Sequence, residues 1–441
     1  MKRRAFIHTL ASTGAAASVS KAAGQSQAGD RVTIGLMGCG GRGMQLITDF
    51  AKRPDVRVKT VCDVDQSKFD RAVSTVDEVG GYMPQKETDF RRMFDDPDID
   101  AVVIAVNHHW HPLATILACQ AGKHVYVEKP MSQNIWEGWQ MVKAARKYNR
   151  VVQVGLQNRS FGYHEEAAEF IKSGKLGEIH SARLVNHAGR ASSGGKPKVI
   201  PVPDGLDYDL FCGPGPMVPY RRQFSKRHLW DFSMGAIWDN AIHQTDVVRW
   251  VLGLDLPDSV TSTGGVMVNK DERETPDTLV TAWKYDNLLL HLDASNATPY
   301  KHFIWLKPIS FAEDAIPEWK LYSCPAYIMG TEGMMILGRH GGGWQAYGID
   351  GSLIAEKPGK ADMPGHIGNF IDCIHSGARP NADVEKAQQS HILGHMSNLS
   401  LRVGEVPLTW DHANRRFKNN DDANALLKRT YRKPWVVPDE V

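Results

Sequence analysis

Between Arg31 and Gly155 short apolar runs alternate with helical stretches, and that rhythm leaves few folds open. Val32–Met37, Val56–Val61, Ala101–Val106, His124–Val127 and Val151–Gly155 read as strands. Met44–Lys52, Phe69–Val79, Leu113–Gln120 and Trp136–Tyr148 read as the helices between them. Strands separated by helices cannot pair as hairpins, so they cross over into a parallel sheet. Continuous apolar strands suit a sheet covered on both faces. The expectation is an α/β unit over 31–158 with a doubly wound parallel sheet.

The first strand runs into Gly38-Cys39-Gly40-Gly41-Arg42-Gly43, a GxGxxG. With 40 glycines in the chain, the spacing alone is weak. Its context is not: a strand precedes it, a helix follows, and Asp63 ends the next strand 20 residues past Gly43. Gly38 permits the tight turn, Gly40 lets backbone approach a pyrophosphate, and Gly43 allows helix to pack on strand. The helix start, with Gly41 and Arg42, offers free N–H groups to phosphate. Asp63 can accept from both ribose hydroxyls and would repel a 2′-phosphate, an effect Asp65 reinforces. The reading is a Rossmann unit that binds NAD in preference to NADP.

After residue 160 the rhythm changes. Glu165–Ser173 reads as a helix, Ile179–His187 as a strand, and Gly189–Gly215 as a Gly/Pro/Ser-rich excursion. Ile237–Leu252 is helical, followed by strands at Ser259–Val268, Thr278–Tyr285 and Leu288–Ala294. Short turns between strands imply an antiparallel sheet, hence an α+β second unit over 159–441. His366–His375 and Val384–Arg402 are late helices, the latter with a largely apolar face of His391, Leu393, Met396, Leu399 and Leu401.

The first 30 residues stand apart. Lys2-Arg3-Arg4-Ala5-Phe6-Ile7, the mild apolar run Leu10–Ala17 and the small residues of Ser20-Lys21-Ala22 predict a twin-arginine export signal and linker. The protein is therefore expected in the periplasm or otherwise outside the inner membrane, exported folded with its nucleotide. Removing Lys2, Arg3, Arg4 and Lys21 takes the formal charge from +2 to about −2, which offers nucleic acid no electrostatic attraction. No later stretch has the roughly 18–20 apolar residues of a membrane span. The six cysteines, 39, 62, 119, 212, 324 and 373, are far apart and are read as free thiols rather than disulfides. Asn107-His108-His109-Trp110-His111 follows an apolar strand and suggests a metal. Spacing supplies no fourth ligand, so no metal site is assigned.

The segment Ala121-Gly122-Lys123-His124-Val125-Tyr126-Val127-Glu128-Lys129-Pro130, some 80 residues after the GxGxxG, resembles the glucose–fructose oxidoreductase / inositol dehydrogenase / MocA-like family. So do Asn369-Phe370-x-Asp372-Cys373-Ile374 and Arg379-Pro380-x-Ala382-Asp383-Val384-Glu385, which look like its bacterial branch. The resemblance implies a C-terminal domain with a large open, mainly antiparallel sheet, and homo-oligomers (dimer or tetramer) built on it. By position, Lys129 resembles the lysine that contacts nicotinamide ribose and substrate hydroxyl, with Glu128 setting its orientation. Trp238-Asp239-Asn240-Ala241-Ile242-His243 resembles the family's DxxxH, making Asp239 and His243 its catalytic pair, with Asp246 beside the ring. Asp239 and His243 are i and i+4 and would share a helix face. His111 matches a family histidine on the nicotinamide side. Val106-Asn107 departs from the more common Thr-Pro, which puts the cofactor contact of Asn107 in question. Gln157 and Arg159 look like the active-site strand end, and Tyr208, Arg227 and Trp230 like substrate loops.

Together these readings describe an NAD(H)-dependent enzyme acting on a secondary alcohol of a sugar, glycoside or cyclitol, with its cofactor tightly held. An alternative on the same fold is an NAD-dependent glycosidase that oxidises its sugar transiently, eliminates, hydrates and re-reduces it. A third is a non-catalytic binding protein, against which Lys129, Asp239 and His243 stand.

Overall fold

Val32–Met37 (β1) is apolar but for the half-buried Thr33, because both its faces are covered. In the computed structural model, which describes residues 31–187, 198–221, 226–297 and 325–441, it lies at the centre of a six-stranded parallel sheet. Its neighbours are Val56–Cys62 (β2), Gln85–Glu87 (β3), Ala101–Ile104 (β4), His124–Val127 (β5) and Val152–Val154 (β6), in the order β3-β2-β1-β4-β5-β6. Ile34, Leu36, Ala101 and Val103 feed one core, while Met37, Val102 and Ile104 feed the other. Successive side chains of a strand alternate sides, so each strand staples two layers. The expected export leader, residues 189–197 of the Gly189–Gly215 excursion and Cys324 lie outside the described residues.

β3 has no sequence signal, because Gln85-Lys86-Glu87 is an edge strand that pairs through backbone alone. The strand order reverses between β1 and β4, which opens a crevice at the strands' carboxyl ends. The glycine loop leaves β1 there, and Asn107–His111 leaves β4.

The second sheet has ten strands: Ile179–His187 (β7), Ser259–Gly265 (β8), Thr278–Lys284 (β9), Leu289–Ser295 (β10), Ala326–Gly330 (β11), Gly333–Leu337 (β12), Trp344–Gly348 (β13), Leu353–Lys357 (β14), Leu408–Asp411 (β15) and Arg416–Phe417 (β16). Their order is β14-β13-β12-β11-β7-β10-β9-β8-β15-β16, and only β7 and β10 pair in parallel. The last six strands escape sequence reading because they are short and broken by glycines, which leaves no periodic window. Helices Trp238–Val251 and Val384–Arg402 cover one face, where the Trp283 indole donates to the Leu393 carbonyl at 3.1 Å. Val280 and Leu289 stand exposed on the other face.

The two units are not independent bodies. Helix Met363–Ser376 packs back on the parallel sheet, with Phe370 edge-to-face against Phe50 and Tyr126. Val154 N–H donates to the Ala382 carbonyl at 2.9 Å, so the late segment covers the edge strand β6. Helix Val384–Arg402, expected to bury one face, is buried around most of its circumference. It can be so because its histidines find partners. His391 Nε2 accepts the Met131 N–H (3.0 Å) while Nδ1 donates to the Ala387 carbonyl (2.7 Å).

Candidate active site

The glycine loop forms a turn that only glycine allows at two places. Gly38 has φ +101°, and a Cβ there would lie 2.5 Å from the Ala105 carbonyl oxygen. A Cβ on Gly43 would lie 1.8 Å from the Gly38 oxygen, so the helix packs on the turn without room for a methyl. Gly40 and Gly41 differ: a Cβ there would meet nothing within 4 Å. Helix Gly41–Ala51 begins at that spot with no side-chain cap. Its first N–H groups are thus free for a phosphate, which the open backbone can approach closely.

Gly38 and Gly40 wall a cavity of about 390 Å³ that also reaches Asp63, Asn107, Leu210 and Phe211. Asp63 Oδ2 accepts the Cys39 N–H at 2.7 Å and Oδ1 the Asp65 N–H at 2.9 Å. Burial raises its pKa, against those two bonds. Each carboxylate oxygen retains a lone pair for a hydroxyl. The chain crosses this cavity again at 205–221: Gln66 N–H donates to Gly205, Asp207 N–H to Val64, and Arg221 pairs with Glu272. A phosphate cradle, a ribose-reading carboxylate and apolar walls fit NAD.

A polar cleft of about 350 Å³ shares Ala105 and Val106 with that cavity. Lys129, at the end of β5, donates its ammonium to the main-chain carbonyl of Asp239 at 2.8 Å. The Asp239 carboxylate meets His108 Nε2 (3.1 Å) and Arg227 Nη1 (2.5 Å). Burial alone would raise its pKa, but the His108 hydrogen bond and the charges of Lys129 and Arg227 hold it well below the usual range. Arg42 lines this cleft, bonded to Glu128 at 2.7 Å. Glu128 was expected to orient the Lys129 ammonium, yet it receives the Lys129 backbone N–H (3.2 Å) instead. Gln157 also lines the cleft, and its Oε1 is buried without a partner.

His243 is buried one turn beyond Asp239 and does not receive that carboxylate. Its ring lies edge-to-face on His340 at 4.7 Å, and Nδ1 has no hydrogen-bond partner. Burial first, then His340 and Lys129, drive its pKa well below 6.5, so the ring is neutral. The expected aid from Asp246 is also absent, for that carboxylate is turned to Arg159 (2.7–3.0 Å) and Ser390. Arg159, read as part of the active-site strand end, is one half of this buried ion pair. Two charges taken from water hold each other there, and Arg159 is not among the residues that line the cleft.

Tyr208 and Trp230 likewise fall outside the cleft. The Tyr208 hydroxyl donates to the Val218 carbonyl at 2.8 Å, within the segment that spans the nucleotide cavity. Trp230 walls a separate hollow of about 20 Å³, under the Arg402 guanidinium. Its bulk is used in packing, as an indole between two helices readily is. Arg227 does line the cleft. The three histidines after β4 diverge. His108 turns to Asp239, His109 to the Phe211 carbonyl, and His111 lies between the Pro130 and Val106 carbonyls. His111 lines the cleft, and burial pushes its pKa down to about 3. Among the described residues no cluster of three or more His, Cys, Asp or Glu could hold a metal.

Residues 32–156 match the Gfo/Idh/MocA oxidoreductase family's NAD-binding Rossmann fold, and residues 211–336 match the same family's C-terminal domain. The two matches together span more than half of the chain. The chain belongs to the Gfo/Idh/MocA oxidoreductase family. As a member it carries an NAD-binding Rossmann domain. A curated relative, a glycosyl hydrolase family 109 protein of Solibacter usitatus (strain Ellin6076), is 29% identical over 195 residues. That match covers 41% of this chain and 44% of the relative, so less than half of the relative's length is spanned. Among solved structures, the WlbA dehydrogenase of Bordetella pertussis in complex with NADH and UDP-GlcNAcA superposes with a TM-score of 0.62 at 21% identity, covering 86% of this chain and 99% of that one. Levoglucosan dehydrogenase in complex with NADH and levoglucosan gives 0.63 at 18%, again over 86% and 99%. At such identities the likeness is one of fold.

Within this family frame, sequence reasoning missed three groups. His108, which lines the cleft, appeared only as a metal candidate, Asn240, also on the cleft, only as a spacer in the DxxxH segment, and Ser233, 3.1 Å from His108 Nδ1, not at all. Their neighbours come from distant parts of the chain, and no local spacing announces them. No helix among the described residues is long and apolar enough to cross a membrane.

Proposed function

We propose that the chain is an exported NAD(H)-dependent oxidoreductase acting on a secondary hydroxyl of a sugar, glycoside or cyclitol. One observation carries this reading: Lys129 stands in a polar cleft that shares a wall with the nucleotide cavity, its ammonium anchored on Asp239. Bound NAD supplies the hydride acceptor, or in reverse the donor. Lys129, a fixed cation, polarises the substrate oxygen, and in the reducing direction stabilises the negative charge that develops on it. His243, neutral and buried one helical turn behind Asp239 rather than on the lining of the cleft, offers an unpartnered Nδ1 as the base of this reading, to take the hydroxyl proton and return it in reverse. Asp239 contributes through its carbonyl, which positions Lys129, and through its carboxylate, which with Arg227 and Gln157 presents hydrogen-bonding groups to hydroxyls.

Carbohydrate as substrate class is supported by the dehydrogenases of like fold that hold UDP-GlcNAcA or levoglucosan. The name of the glycosyl hydrolase family 109 relative favours a second reading, glycoside hydrolysis through transient oxidation and re-reduction. Mass spectrometry of products from a glycoside panel separates them. A keto-sugar means dehydrogenase, and free sugar of unchanged oxidation state means hydrolase. No product from any glycoside, with NAD bound, would leave a non-catalytic binder.

Export motivates a tightly held cofactor, since no pool of NAD(H) is maintained outside the inner membrane. The 205–221 segment across the nucleotide cavity supports slow release. Val280 and Leu289, exposed among the described residues on the face of the large sheet away from the two helices, support homo-oligomerisation there.

A further inference from the structure

His108 comes from the loop after β4, yet both its ring nitrogens are claimed by the second half of the chain. Nε2 lies 3.1 Å from Asp239 Oδ1, and Nδ1 lies 3.1 Å from the Ser233 hydroxyl. Ser233 is 1% exposed and His108 8%, so water does not compete for these bonds. The Ser233 oxygen already accepts the Gly235 N–H at 2.8 Å, and the Gln133 side-chain amide holds the Ser233 carbonyl at 3.1 Å. With one lone pair so used and the residue pinned, the Ser233 hydroxyl hydrogen is free for Nδ1. A ring that accepts at Nδ1 carries its proton on Nε2, where the carboxylate is.

We infer that His108 is a positioning residue, held by Ser233 as the Nε2–H tautomer so that it anchors Asp239, and through Asp239 the ammonium of Lys129. The inference rests on the oxidoreductase reading for its kinetic consequence alone. Asp239 is the joint: its carboxylate takes His108 and Arg227, and its carbonyl takes Lys129. His108 is the one link in this array that ties the carboxylate to the Rossmann half, so it sets the register of the cleft's two walls. Asp239 and His243 share a helix face, but the bonds of the Asp239 carboxylate run to His108 and Arg227.

The tautomer can be read without substrate, by 15N spectra of the histidine-labelled full chain at pH 8. The His108 signals are assigned by their loss in His108→Gln. The Nε2–H form is expected, eroding to a tautomer mixture in Ser233→Ala. An Nδ1–H or doubly protonated ring, or a spectrum indifferent to Ser233→Ala, would overturn the inference. On any sugar the wild type turns over, His108→Met should lower kcat about 10–100-fold with NAD affinity unchanged, the loss of one hydrogen bond to a charged group. His108→Gln, whose amide can still donate to Asp239, should recover to within about threefold, and Ser233→Ala should add little on top of His108→Met. Undiminished kcat in His108→Met would overturn the inference as well. A wild type inert to every sugar would count against the oxidoreductase reading, and the spectra would still decide the tautomer.

Discussion

The ammonium of Lys129 and the main-chain carbonyl of Asp239 meet at 2.8 Å across the boundary between the two halves of the chain. A backbone acceptor cannot rotate away as a side chain can, so this contact fixes the cation relative to the nucleotide cavity. Removing the cation should cost chemistry and not cofactor. Lys129→Met is expected to lower kcat by about 10²–10³-fold, the scale of one lost group that stabilises developing charge. His243→Ala should behave likewise, as the proton acceptor is removed. NAD content, read by absorbance after denaturation, should stay at the wild-type value in both. Loss of nucleotide in either variant would move that residue from chemistry to cofactor binding.

The glycine loop predicts a split between folding and binding. Gly43→Ala places a methyl 1.8 Å from the Gly38 oxygen and should destabilise by about 1–3 kcal/mol or more, since backbone has to move. Gly40→Ala meets nothing within 4 Å, so its melting temperature should stay near wild type while NAD affinity falls. Thermal melts beside a nucleotide titration distinguish the two. Equal effects of both variants on stability would contradict the geometry.

Asp63 should set cofactor choice. Both its oxygens are held by backbone N–H groups, so the carboxylate cannot swing away from a 2′-phosphate. Asp63→Ser is expected to narrow the preference for NAD over NADP by roughly tenfold, as one repulsive charge is lost. Titration of both nucleotides with wild type and variant measures the ratio.

Buried neutral histidines should make the fold acid-sensitive. Burial pushes His164 and His391 down to about 4 and His111 and His366 to about 3. The unfolded chain protonates these rings near 6.5 while the folded chain does not, so it binds more protons below that pH. Stability should therefore be fully present above about 6.5 and fall as pH drops toward 4 and then 3, by up to ~1.4 kcal/mol per pH unit for each ring. His391 gives the structural reason: its Nε2 accepts the Met131 N–H, and a proton there would set two donors face to face. Denaturant midpoints between pH 8 and pH 5 check this. His391→Gln should flatten the slope.

The cofactor should survive purification. At an assumed association rate of about 10⁶ M⁻¹s⁻¹, a Kd of roughly 1 nM implies a release half-time of only about ten minutes. If the proposed export occurs, retention through it needs tighter binding or a cover, for which the 205–221 segment is the candidate. Protein purified without added nucleotide and then denatured should release NAD(H) near one equivalent. An empty preparation that becomes fully active with free NAD would point to a dissociating cofactor.

The Rossmann half was legible from sequence because its signals are local. A two-residue period marks a strand, a 3.6-residue period a helix, and a glycine turn obeys backbone sterics that neighbours alone determine. Asp63 was legible too, since a βαβ unit places the second strand's end at a fixed spacing from the loop. Lys129, Asp239 and Arg227 were drawn by pattern, and the fold brings them to one cleft. What tertiary structure alone decided is how they are wired. Lys129 and Asp239 are 110 residues apart, His108 and Ser233 125, and Arg159 and Asp246 87. Asp239 and His243 sit one helical turn apart, so a local rule paired them. The packing of two units instead gave the carboxylate to His108, because buried charges take the partner whose geometry removes the most desolvation cost. Arg159 was lost to the site for the same reason. Which hydrogen bonds a buried polar group makes is set by what the fold delivers within about 3 Å, and no contiguous stretch of sequence encodes that.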